Sequence, residues 1–221
     1  MPVSLHTHSW YSLLEGVSSP AALVETAVAM GHSALALTDT NNLYGAVSFA
    51  HCAVQAGLRP ILGVCLRWRE QQVVALAADH GGYRNLCRIL SRIHLEPEEE
   101  ATFSLGEALL DHAEGLHILV DDPTRAEELR DGFAGRLWLE LVRPGDPRRE
   151  RRLVECGRRL GLRLVASTSA FLIHRREYAD CRLVAAVRKN LLLDRLAPEI
   201  ALEPEHRLLS PEQMRRRFAD L

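Results

Sequence analysis

A chain of 221 residues, 47% hydrophobic and 25% charged, has the make-up of one soluble globular domain and is long enough to close an α/β barrel. Its formal charge of −2 gives no general pull toward nucleic acid or membrane, so DNA contact is expected only indirectly, through a local patch or another domain. No run nears the roughly 18 apolar residues of a spanning helix, no basic leader precedes an apolar stretch, and five cysteines without a C-x-x-C unit exclude a disulfide frame or zinc finger; a reducing cytoplasm is the expected setting.

Apolar, β-rich runs alternate with stretches of helical period, the pattern of βα units around a parallel sheet. Residues 3–8 read as the first strand, followed by a helix over 20–30 with Pro20 in its first turn. A strand over 34–38 runs into Asp39, and a helix over 45–56 leads to a strand over 59–64. A strand over 73–77 and a helix over 83–92 follow, then an acidic run over 96–100 that reads as a solvated loop between two halves. Strands over 116–120, 137–141 and 163–166 alternate with helices over 125–131 and 148–160, and another helix covers 178–188. Gly31, Gly57 and Gly161 stand where helices stop before strands. Residues 191–209 read as an extended connection, and 210–221 as a last helix capped by Ser210 with Pro211 behind it. The chain thus reads as a single domain over 1–221, its last part (191–221) suited to leading into a longer protein.

The chemistry concentrates at two strand ends. His6 and His8 are spaced i, i+2, so a strand turns both imidazoles to one side. Asp39 closes the second strand, and in a barrel of parallel strands the C-terminal ends share the face where sites are built. His6, His8 and Asp39 would offer nitrogen and oxygen ligands of the kind zinc or manganese accepts. By itself, H-x-H equally describes two histidines packed in a barrel mouth.

The surrounding residues narrow the choice. Residues 5–16, Leu5-His6-Thr7-His8-Ser9-Trp10-Tyr11-Ser12-Leu13-Leu14-Glu15-Gly16, resemble the opening motif of the PHP (polymerase and histidinol phosphatase) domain at the front of bacterial DNA polymerase III α subunits, the DnaE type. Residues 34–49, around Thr38-Asp39 and Asn42-Leu43-Tyr44-Gly45, are similar to the second motif of that family, and Gly57-Leu58-Arg59-Pro60-Ile61-Leu62-Gly63 to its third strand. The segments 75–86 and 209–221 resemble the stretch that follows and the handover into the polymerase.

The resemblance implies a distorted seven-stranded (βα) barrel of metal-dependent phosphoesterase type with a degenerate metal site. Where active members carry histidine after the motif-two aspartate, this chain has Thr40; where they carry glutamate after the third-strand glycine, it has Cys65; where they carry a late Asp-x-His pair, it has Ser169 and Phe171. The retained His6, His8 and Asp39 would then hold no metal or one divalent ion, zinc or manganese, rather than the cluster that phosphoester hydrolysis needs. Cys65 is open to two readings, a filler of a small apolar space or a thiolate ligand of one structural zinc.

The resemblance further implies a non-catalytic scaffold that braces the polymerase domains of its own parent chain and docks a separate proofreading exonuclease. The rival is a phosphoesterase or 3′–5′ exonuclease working on the reduced site; a free-standing histidinol-phosphate-type phosphatase is disfavoured by the match over 209–221. Elsewhere the expectations are plain: His80, His94, His112, His117 and His174 solvated, Asp121-Asp122 opening a turn, and Arg148, Arg149, Arg151, Arg152, Arg158 and Arg159 on a solvated helix neutralised by i,i+4 pairs with Glu150 and Glu155.

Overall fold

The computed structural model describes residues 2–95, 103–197 and 203–221. The acidic loop expected over 96–100 lies outside them, as do residues 198–202 of the expected connection. Six strands form one sheet in the order β1-β2-β3-β4-β5-β6: β1 Ala34–Leu37, β2 Arg59–Trp68, β3 Gln71–Ala77, β4 Leu116–Val120, β5 Leu137–Val142 and β6 Arg163–Ser167. Among the described residues eight α-helices accompany them: α1 Pro20–Ala29, α2 Ala46–Gln55, α3 His80–Leu95, α4 Leu105–Asp111, α5 Pro123–Leu129, α6 Pro147–Leu160, α7 Tyr178–Lys189 and α8 Pro211–Arg217. None of them is long and apolar enough to cross a membrane.

Period-two patterning decides what each strand presents. On β3, Val73 and Ala75 join the cluster under the helices, whereas Val74 and Leu76 join a second cluster on the opposite face. On β5 the same alternation sends Leu137, Leu139 and Leu141 outward and Trp138 inward. The inner cluster gathers Ala36, Ile61, Val74, Leu76, Leu119, Trp138 and Val165, at least one residue from every strand. Edges of a flat six-stranded sheet would stand roughly 24 Å apart at about 4.8 Å per strand, so the sheet must be strongly curled.

The sheet departs from the expected one in two ways. Six strands are present among the described residues where seven are expected: the stretch read as a first strand over 3–8 makes only isolated bridges, Ser4 to Leu35 and Thr7 to Ala170. It nevertheless ties β1 to the segment just past β6, since Ala36 N–H donates to Ser4 O at 2.9 Å and His8 N–H to Ala170 O at 2.8 Å. Nor is the sheet all parallel, because β3 runs antiparallel to both β2 and β4. Only Arg69 and Glu70 join β2 to β3, with Arg69 at φ 52°; a parallel return needs a dozen or more residues.

Helix ends follow the sequence closely. Ser19, Ser104, Asp122, Asp146 and Ser210 each accept a backbone N–H as N-caps, and Gly161 closes α6 at φ 67°. Helix α4 has no counterpart in the expected elements. Beyond β6 the chain runs to Phe171 and Leu172, whose N–H groups both donate to His206 O, so the C-terminal stretch is tied to the mouth of the sheet.

Candidate functional site

The N-terminal stretch positions the first two donors. His8 N–H donates to Ala170 O and Ala170 N–H to His6 O, while Thr7 O accepts Thr38 N–H at 2.9 Å; on this extended stretch the i, i+2 spacing puts His6 and His8 on one side. Their Nε2 atoms lie 2.9 Å apart. Cys65, on β2 opposite Val74, completes a group in which one donor atom from each of His6, His8 and Cys65 lies within 4.8 Å of the others.

Each imidazole is held from behind. His6 Nδ1–H donates to Glu140 Oε1 at 2.8 Å, and Glu140 comes from the inner face of β5, two residues after Trp138. His8 Nδ1 meets Ser12 Oγ at 2.9 Å, and the Ser12 hydroxyl donates to Asp39 Oδ1 at 2.7 Å. Since the only Ser12 hydroxyl proton points to Asp39, His8 Nδ1 must be the donor in its contact with Ser12. His8 Nε2 is then the acceptor, and the proton between the rings belongs to His6.

The electrostatics agree with this direction. Burial disfavours charge on His6, but Glu140 together with Cys65 outweighs it and pushes the imidazole up to about 10. Burial, reinforced by His6, Arg67 and His206, holds His8 well below the ordinary histidine value. Burial also works against Glu140, yet His6 keeps its carboxyl below the usual range. A single chain of donation therefore runs from imidazolium His6 through neutral His8 and Ser12 to Asp39, with Glu140 anchoring its other end.

Asp39 stands outside the His–Cys group. Its carboxylate accepts from Ser9 N–H, Ser9 Oγ and Ser12 Oγ, each at 2.7 Å, and burial raises its pKa against these bonds. Thr40 donates its hydroxyl to Glu15 Oε2 at 2.8 Å. Glu15 also receives guanidinium N–H groups from Arg67 of β2 and Arg188 of α7, so one buried carboxylate clasps three parts of the chain. Ser169 sits at φ 44° and donates its N–H to Ser167 Oγ at 3.0 Å. Phe171 lies flat on the His8 ring, centroids 3.8 Å apart and planes 8° from parallel.

The group is closed to solvent: His6, His8, Cys65, Asp39 and Glu140 are each 0 to 2% exposed. An open cleft of about 560 Å³ reaches only as far as Glu140 and Ser169, between Asp121, Arg149 and His206. Asp122 caps α5, while Asp121 faces this cleft paired with Arg149 at 2.9 Å.

The donor set fits one soft divalent ion. Two imidazoles with Nδ1 held by outer partners and Nε2 converging beside a thiol are what zinc accepts. The proton between the rings competes for the same lone pairs. The nearby buried carboxylate of Glu15 is already engaged by two guanidiniums.

Two participants were not foreseen from sequence. Glu140 is a lone charge in the apolar run Leu137-Trp138-Leu139-Glu140-Leu141-Val142, and such a residue is almost never fully buried unless paired. Glu15 gives no comparable signal, since its partners are remote in sequence.

Residues 4–142 match the PHP domain. The chain is 32% identical to an error-prone DNA polymerase of Symbiobacterium thermophilum, aligned over 99% of this chain and 24% of that protein. It is 33% identical to an error-prone DNA polymerase of Mycobacterium tuberculosis (97% of this chain, 23% of the relative) and 29% identical to the DNA polymerase III subunit alpha of Escherichia coli (99% and 21%). The chain thus spans about a quarter of the length of these relatives. Among solved structures, a two-domain protein from Bacteroides vulgatus containing a predicted PHP-like metal-dependent phosphoesterase shares the fold, with TM-score 0.51 and 14% identity over 75% of this chain and 51% of that one.

Proposed function

This chain belongs to the PHP domain family, and from that membership and the closed site we propose that it is a non-hydrolytic structural domain of a DNA polymerase III α-type chain. The observation that carries the reading is burial. A phosphoester must reach its metal and its attacking water, yet every donor here is at most 2% exposed, beneath Phe171 on one side and the Glu15–Arg67–Arg188 clasp on another. Loss of ligands at Thr40, Ser169 and Phe171 points the same way, because a single ion cannot act as a multi-metal clamp.

In this reading the 4–8 stretch is the seventh stave of a distorted barrel, and the outer surface does the work. It braces the polymerase part of the parent chain and takes a separate proofreading exonuclease; exposed Trp10, Leu13 and Tyr44 on the mouth loops suit such contacts. His6, His8 and Cys65 would hold one zinc, with Asp39 acting through Ser12 rather than as a ligand. When bound, that ion would supply cross-linking of the N-terminal stretch to β2.

A second reading, a metal-dependent phosphoesterase on the reduced site, is favoured by the convergence of the two Nε2 atoms beside Cys65. Plasma mass spectrometry of the purified chain after exchange into metal-free buffer, paired with hydrolysis of bis-p-nitrophenyl phosphate in added manganese, separates the two. The structural reading expects at most one equivalent of metal and no turnover. Two or more equivalents with turnover that His8→Ala abolishes would establish the phosphoesterase.

A further inference from the structure

Helix α6 does not behave as a neutralised surface helix. Its two acids were expected to pair with its own arginines, but Glu150 turns to Arg143 and the described residues give Glu155 no ion pair. Two of its arginines are engaged elsewhere, Arg149 with Asp121 and Arg159 with Glu127 of α5. Arg148, Arg151, Arg152 and Arg158 remain exposed and have no ion-pair partner among the described residues.

These four share one face. Leu153, Cys156 and Gly157 are the buried side of α6. At 100° per residue the four arginines fall within a solvent arc of about 120° on the side away from them, in which Glu155 is the only acid of α6 and Arg159 is paired with Glu127 of α5. From 148 to 158 the stripe runs about 15 Å at 1.5 Å per residue. That length of duplex presents about four phosphates per strand.

We propose that this face of α6 is a contact surface for the phosphate backbone of DNA. An acidic protein would have to match the guanidiniums with carboxylates at particular places. A nucleic-acid backbone repeats its charge about every 3.4 Å along each strand and so meets the stripe in any register. The chain carries a net charge of −2, so a local stripe is what would turn an otherwise unattractive domain toward DNA on one side only. The choice of DNA rests on the reading of the chain as part of a polymerase.

The test is fluorescence anisotropy of an end-labelled duplex of arbitrary sequence with the purified chain, across a potassium chloride series. EDTA in the buffer blocks metal-dependent shortening, so failure of the non-hydrolytic reading in its own assay leaves this result intact. Wild type is expected to bind with an affinity that falls steeply with salt. Arg148→Gln/Arg151→Gln/Arg152→Gln/Arg158→Gln is expected to lose at least roughly ten-fold at the lowest salt and about two to four units of the log–log slope. Arg215→Gln/Arg216→Gln on α8 should bind as wild type. If the quadruple variant loses its helical circular dichroism, Arg151→Gln/Arg158→Gln, with about half the slope change, takes its place. Unchanged binding in the α6 variants would overturn the proposal, as would polyglutamate displacing the duplex as well as polyphosphate does.

Discussion

Two charged clusters grow from one short stretch of chain, on β5 and just beyond its end. Glu140, on the inner face of β5, pairs with His6 where both side chains are 1 to 2% exposed. Arg143, just past the end of the same strand, bridges Glu150 of α6 and Asp220 beyond α8 and stacks on Phe218 at 4.9 Å, with side chains 21, 26 and 62% exposed. The two differ in hydrogen-bond number, one between His6 and Glu140 against five from the Arg143 guanidinium, and are opposite in setting. A buried pair is costly to break because the remaining charge has no water to turn to, whereas solvent compensates most of a surface pair. The inner cluster should therefore govern folding and the outer one should only trim it.

The largest effect that sharpens this contrast is expected from Glu140→Leu, which strands His6 and should cost about 3–5 kcal/mol in urea unfolding near pH 6. Adding His6→Leu should recover much of that loss. If the double variant instead loses the sum of the two single effects, the pair is not coupled and the contrast fails.

The pH profile comes next. His6 is raised from 6.5 to about 10 in the folded state, so its contribution is fully present below pH 6.5 and is lost as pH rises toward 10. His8 is lowered, so below pH 6.5 the unfolded chain binds the proton the folded one refuses, and stability falls there. Wild type should lose stability between pH 6.5 and 10, measured by urea midpoints, and Glu140→Leu should flatten that limb.

A smaller effect is expected at the clasp. Arg67→Met leaves Glu15 with Arg188 and Thr40, and a charged hydrogen bond of this kind is worth about 1.5–3 kcal/mol, here toward the low end because Arg67 is partly solvated. Glu150→Gln in the outer cluster should cost less than about 1 kcal/mol, and 1 M salt should erase the difference from wild type. A larger, salt-resistant loss at Glu150 would mean that the outer cluster is not a surface cluster in energetic terms.

Much of the fold was legible because its signals are local. Strand runs such as 116–120 and 163–166 and helix starts at Pro20 and Ser210 are written in period and cap chemistry, and they appear within a residue or two of the expected places. The antiparallel β3 was not legible from the apolar runs alone, since β2 extends to Trp68 and leaves only two residues for the turn. In the site, His6 and His8 converge as their spacing expects, and Cys65 joins them. Asp39 comes near, but its lone pairs are taken by Ser9 and Ser12. Glu140 stands out as the one charge of an apolar strand, but its partner His6 lies 134 residues away, and only the fold brings the two together.

The sequence by itself determined the family, the succession of elements and the residue types at the strand ends, because each depends on neighbours within a few positions. Only the tertiary structure decided which donors meet, which of them are spent on protein hydrogen bonds, and that the group is sealed. Those outcomes depend on the curl of the sheet, which brings the 4–8 stretch, β2 and β5 around one point and buries the donors there.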